Sequence, residues 1–285
     1  MMSLTFENLS KGYAGKTVFE KINGKINPED KIGLIGTNGV GKTTLVKLLS
    51  GKEKSDYGNI HYAAFLKIFY GEQYPEFAEG VSVYNKVYQT IVTNGGQLKL
   101  KEIKDANALT KKSLNKIGLD QRLWQQEARS LSGGEKTKLQ LTKVIVSDFD
   151  LLILDEPTNY LDIISREKME EVLENFQGSM LFVSHDRYFT KRLANRIWHL
   201  QNQRLKCYDG DYEYYLNKSE QESLKAEVGV NFEHISNQIQ RLELELAFLS
   251  GKLAEPLAQE EKEQMNQEFF RVAKELNANK EMLDN

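Results

Sequence analysis

From Leu4 to about Asp30 apolar and polar positions alternate, with turn residues between them (LTFENLSKGYAGKTVFEKINGKINPED), which predicts short antiparallel strands. The pattern then changes. KIGLIG, Lys31–Gly36, is a compact apolar run that predicts a buried strand. GKTTLVKLLSG, Gly41–Gly51, has helical spacing and stops at a glycine, and a further strand is expected in FLKIFYGEQ, Phe65–Gln73. From Val81 to about Arg129 the spacing is helical and polar, and a helix follows Gly134. Together these predict a helical subdomain, about 81–147, inserted into the sheet. DLLILDEP, Asp150–Pro157, predicts a continuous apolar strand ending in acids; a helix near Arg166–Phe176 and the strand SMLFVSHD, Ser179–Asp186, come next. Strands alternating with helices define an α/β domain with a mostly parallel core sheet.

The C-terminal quarter is patterned differently. Phe232, Ile235, Ile239, Leu242, Leu246, Leu249 and Leu253 recur at spacings of 3 and 4 in turn, a heptad seam. Pro256 interrupts it; Met265, Phe269, Val272, Leu276 and Leu283 form a second stripe, with Asn279 where an apolar residue would fall. Two seamed helices joined at a proline predict an antiparallel helical hairpin. The expected division is residues 1–217 for the α/β domain and 218–285 for the hairpin.

Charge sharpens that division. The chain carries 38 basic and 41 acidic side chains, but from Lys218 onward the count is 8 against 14, so an acidic tail of −6 follows a body of +3. The single cysteine, Cys207, excludes an internal disulfide and a cysteine-based zinc site. No signal-peptide pattern and no 18-residue apolar run occurs. A cytoplasmic protein is expected, with no direct membrane insertion.

GTNGVGKT (Gly36, Thr37, Asn38, Gly39, Val40, Gly41, Lys42, Thr43) matches G-x-x-x-x-G-K-[ST] in full, between a predicted strand and a predicted helix. Glycines let successive backbone N–H groups face phosphate oxygens, and the helix, through Thr44, adds its positive end. Lys42 is expected on the β- and γ-phosphates and Thr43 on Mg²⁺. A nucleoside triphosphate is the expected ligand. Asp155 closes the apolar strand, where it is expected to hold Mg²⁺ through its water shell; Glu156 points differently and is the candidate for orienting or deprotonating the attacking water. Taken alone, the pair reads as two surface carboxylates closing a strand. His185, just past another strand, can contact a γ-phosphate, although a lone histidine is more often structural. SLSGGE sets Ser132, Gly133, Gly134 and Glu135 at a helix start, a second anion cradle with no lysine of its own. Composite sites explain it: the cradle of one subunit closes over the ATP held by another.

GTNGVGKT, LSGGE, LLILDEP and SHD, in that order, resemble the ATP-binding domain of the ABC superfamily over roughly residues 3–217. The resemblance implies the phosphate-loop ABC ATPase fold, with an antiparallel β subdomain and an inserted helical subdomain, and ATP and Mg²⁺ as ligands. It places Tyr13, 23 residues before Gly36, where the family stacks an aromatic on adenine, and Gln73 where a glutamine senses Mg²⁺ and the attacking water. Asn159–Asp162 fall on the loop that crosses the dimer interface. DEPTNYLD and SHDRYF look like the ABC-F group, soluble ATPases acting on ribosomes, with Tyr160 standing where that group has histidine. Such proteins usually hold two ABC domains in tandem, so the expected partner is a second ABC domain, in a homodimer or as a missing half. The acidic hairpin and the short Gln73–Ser132 stretch resemble a second half, most like the antibiotic-resistance branch. The expected role is ATP-driven closure on the ribosome. The alternative is the ATPase subunit of a transporter, partnered by a membrane permease. A coiled-coil DNA-maintenance ATPase would need far more coiled coil inside the domain than this chain has room for.

Overall fold

The computed structural model describes residues 3–94, 105–253 and 259–284 and falls into two units, Met1–Tyr215 and Leu216–Asn285. In the first unit β1 (Leu4–Tyr13) and β2 (Lys16–Ile26) form a hairpin, and β4 (Tyr57–Tyr62) pairs with the other edge of β1, giving a three-stranded antiparallel sheet. A six-stranded sheet has the order β5-β6-β7-β3-β8-β9. Its strands are β3 (Lys31–Ile35), β5 (Ile68–Gly71), β6 (Leu151–Asp155), β7 (Ser179–Val183), β8 (Arg196–Gln201) and β9 (Arg204–Tyr208). All neighbours run parallel except the β8–β9 hairpin.

The continuous apolar runs follow from burial on both faces. In β6, Leu151 and Ile153 join one core cluster while Leu152 and Leu154 join the other; β7 divides Leu181 and Val183 from Met180 and Phe182 in the same way. One cluster takes in the antiparallel sheet and α1 (Lys42–Leu49), whose Leu45, Val46, Leu48 and Leu49 are fully buried. Each such side chain contributes about 1.5–3 kcal/mol. The other cluster takes in α2 (Val83–Asn94), α3 (Ala106–Lys116), α4 (Gly133–Val146), α5 (Ile163–Glu174) and α6 (Arg187–Leu193).

Strands β4, β8 and β9 are additional to those the sequence pattern predicts, and the helix expected at Arg166–Phe176 begins earlier, at Ile163, capped by Asp162, whose carboxylate accepts from the Ser165 N–H. Arg196 explains why the polar start of β8 is tolerated: its guanidinium pairs with Asp30 and Asp209.

The second unit is helical. Helix α7 (Tyr212–Leu253) begins before the expected boundary, with Asp211 accepting from the Tyr214 N–H, and α8 is Gln259–Asp284. Ile239, Leu242 and Leu249 pack with Val272 and Leu276, flanked by Leu246, Met265 and Phe269. Lys280 pairs with Glu243 at 2.7 Å, far from the short connection, so the two helices run antiparallel. Pro256 and the side chains of Phe232, Ile235 and Leu283 lie outside the described residues. No described helix is long and apolar enough to cross a membrane.

Candidate active site

The phosphate-loop segment runs from the end of β3 to α1. A Cβ on Gly36 would stand 2.4 Å from the Leu200 carbonyl oxygen, so only glycine lets the loop lie on the end of β8. Gly41, in the left-handed region at φ 110°, precedes α1, and no side chain caps this helix. Its first N–H groups are thus left for an external acceptor. Lys42 is 7% exposed, and its ammonium bridges back over the loop, donating to the carbonyls of Gly36 at 2.8 Å and Thr37 at 3.1 Å. Burial lowers its pKa, opposed by the nearby Glu156 and Asp155 carboxylates.

The strand order brings the carboxylates to this loop, because β3 lies beside β7 and β7 beside β6. Thr43 donates its hydroxyl to Asp155 Oδ1 at 3.2 Å. Asp155 is buried, and burial raises its pKa against the Thr43 hydrogen bond and the charges of Lys47 and Lys42. Glu156 follows with φ 50°, unusual for a non-glycine residue. One carboxylate oxygen, Oε1, lies 3.2 Å from His185 Nε2; the other, Oε2, is buried with no hydrogen-bond partner among the described residues. Burial raises the Glu156 pKa, only partly offset by His185 and Lys42. The imidazole of His185 is half exposed. The Thr43 hydroxyl and the Asp155 carboxylate are hard oxygen donors, suited to Mg²⁺ with water and phosphate completing its shell. A protein-only metal cage is not needed for that, and none of three or more His, Cys, Asp or Glu is found among the described residues.

Tyr13, at the end of β1, hydrogen-bonds Glu53, and the Lys11 ammonium sits 5.2 Å from its ring centre. Gln73 is half buried just past the end of β5, next to β6. Ser132 caps α4 in a reciprocal box: its hydroxyl accepts from the Glu135 N–H, while Glu135 Oε2 accepts from the Ser132 N–H at 2.8 Å and from its hydroxyl at 2.7 Å. No hydrogen bond joins Ser132–Glu135 to the phosphate loop among the described residues.

Residues 19–159 fit the family model described as ABC transporter. The chain carries an ABC ATPase domain. Similar relatives are an uncharacterized ABC transporter ATP-binding protein, YfmR, of Bacillus subtilis, 33% identical over 80% of this chain and 40% of its own length, and ABC transporter F family member 2 of Arabidopsis thaliana, 37% identical over 76% of this chain and 31% of its own. The chain spans less than half the length of these relatives. A solved structure described as an inward-facing conformation of a putative metal-chelate type ABC transporter matches with TM-score 0.59 and 26% identity, over 73% of this chain and 84% of that one. A dimeric ATP-binding cassette bound to ADP and Pi shares the fold at TM-score 0.63 and 17% identity, over 72% of this chain and 98% of that one. The ABC fold expected from the motifs is thereby shown, as are relatives of the F family.

Several residues around the ABC site escape the sequence reading. Arg166 pairs with Asp186, which caps α6 by accepting from the Tyr188 and Phe189 N–H groups. The Thr158 and Ser184 hydroxyls lie 3.4 Å apart in the interior, and Tyr74 and Tyr160 meet through their hydroxyls at 3.1 Å. These partners are 20 to 86 residues apart in the chain, and no local pattern announces them.

Proposed function

We propose that this ABC ATPase domain is of the ABC-F type: Mg²⁺-dependent, closing on ATP with a second ABC domain, and acting on the ribosome in translation or in antibiotic protection. The α1 amides and Lys42 bind the triphosphate, and Tyr13 takes the adenine. Thr43, Asp155 and Gln73 would hold Mg²⁺, which neutralises phosphate charge when bound. Glu156 takes the proton of the attacking water on Oε2, because Oε1 is turned to His185. Its raised pKa makes it a better base at neutral pH than an exposed carboxylate. His185 stands at the γ-phosphate and keeps Glu156 in place. Ser132, Gly133 and Gly134 grip the γ-phosphate of the ATP on the partner domain, so hydrolysis removes the shared ligand and opens the pair.

The observation that carries this reading is the asymmetric Glu156 carboxylate, one oxygen held and one buried oxygen free beside a phosphate loop. The relatives named for the F family and the helical hairpin support the ribosomal target. The likeness to a metal-chelate type transporter favours a second reading, the ATPase subunit of a membrane transporter. The deciding experiment is the solution mass of Glu156→Gln by light scattering, with and without Mg-ATP, followed by co-sedimentation with ribosomes. An ATP-dependent dimer that pellets with ribosomes is the expected result. A variant that turns over ATP at the parent rate removes Glu156 from the mechanism, and a dimer that ignores ribosomes removes the target.

A further inference from the structure

Strand β1 ends irregularly. Its register against β2 shifts between Leu9 and Lys11 and again between Lys11 and Gly12, so the ladder alone does not fix the strand end that carries Tyr13. The turn after α1 fixes it instead. Asp56 N–H donates to the Ser10 carbonyl at 3.1 Å, and the Asp56 carboxylate accepts from the Gly12 N–H at 2.8 Å. The Lys11 ammonium closes the same join, donating to Asp56 Oδ1 at 3.0 Å and to the Lys54 carbonyl at 2.9 Å. Glu53 is tied to α1 by its N–H, which donates to the Lys47 carbonyl at 3.3 Å. Its Oε1 accepts from the Tyr13 hydroxyl and lies 3.4 Å from the Lys11 ammonium.

Tyr13 is thus held next to its backbone by the Gly12–Asp56 hydrogen bond and at its hydroxyl by Glu53, yet it stays 46% exposed. Three charged side chains converge on one open ring. The Lys11 side chain is itself only 12% exposed, and its ammonium stands over the ring, 5.2 Å from the centre. A cation on one face draws on the ring's electron density. The opposite face becomes the better stacking surface for an electron-rich purine.

We propose that Lys11 and Glu53 are positioning residues that set base recognition: Glu53 fixes the angle of the Tyr13 ring, and Lys11 covers one face so that the other meets a purine base. This rests on the reading of Tyr13 as the residue that takes adenine.

The test is isothermal titration of the full chain with Mg-ATP and, separately, with magnesium and inorganic tripolyphosphate. The ratio of the two affinities isolates the share of binding due to the base, and a substitution that merely loosens the fold lowers both affinities together. Tyr13→Ala is expected to lower the ratio about tenfold. Lys11→Met and Glu53→Ala are each expected to lower it about fivefold, with tripolyphosphate binding as in the parent. Lys11→Arg, which keeps a cation over the ring, and Glu53→Gln, which keeps an acceptor for the hydroxyl, are expected to recover it. A parent ratio in both Lys11→Met and Glu53→Ala, with Tyr13→Ala lowered, would overturn the positioning and leave the adenine reading standing. Equal losses for ATP and tripolyphosphate in those two variants would also overturn it. A parent ratio in Tyr13→Ala would overturn the adenine reading itself.

Discussion

Two helices of this domain begin at glycine-rich loops, and they begin in opposite ways. Helix α1 has no side-chain cap; its loop is closed from within by the buried Lys42 ammonium and from below by β8. Helix α4 is capped twice over by Ser132 and Glu135 and lies open to solvent at that end. The first is an incomplete structure whose donors need an anion. The second already holds one, the Glu135 carboxylate, which a phosphate arriving as proposed would have to displace from the Ser132 hydroxyl. On the proposed composite-site reading, the two halves are not equally ready: one binds on its own, and the other yields only to a partner that brings more charge than a single carboxylate.

The sharpest way to break the comparison is Lys42→Ala. Removing a buried cation from the α1 cradle is expected to weaken ATP binding by about 100-fold, as for a charge-assisted contact of roughly 3 kcal/mol, while Ser132→Arg leaves binding to the isolated chain unchanged; isothermal titration of both separates the cradles. Gly134→Ala comes next. Its new Cβ would meet the Tyr160 carbonyl at 2.5 Å, and urea unfolding is expected to show a loss of about 2 kcal/mol. Ser132→Ala deletes the α4 cap and is expected to cost about 1 kcal/mol in the same assay, whereas α1 has no cap residue to lose. The smallest effect has the opposite sign. Burial raises the Glu156 pKa above the ordinary 4.5, so the folded state binds that proton more tightly than the unfolded one, and stability falls as pH rises through this range. Glu156→Gln removes the penalty: a small gain in Tm is expected at pH 7 in the nucleotide-free protein, shrinking to nothing below about pH 4.

What the chain disclosed in advance was what it stores locally. The phosphate loop, the acidic end of β6 and the α4 cap each lie within eight consecutive residues, and the double-faced apolar runs of β6 and β7 follow from burial between two clusters. Strand β4 was hidden because its positions are mostly exposed, so it has no apolar alternation to read. Helix α7 extends back to Tyr212 although the seam starts only at Phe232; Asp211 starts it with a cap rather than with a stripe. The pairing of Tyr74 with Tyr160, and of Gln140 with Glu72, could not be read at all, because each depends on how far apart β5, α4 and the loop after β6 are set by the finished sheet.

Every phosphate-directed motif lies before residue 187, and the family match ends at residue 159. Yet Gly36 rests on Leu200, and β3 is held between β7 and β8. A fragment trimmed to its signatures would keep all the chemistry and lose the shelf beneath it. For anyone transplanting this module, the smallest useful piece is set by where the β8–β9 hairpin closes, not by where the last recognisable word of the sequence ends.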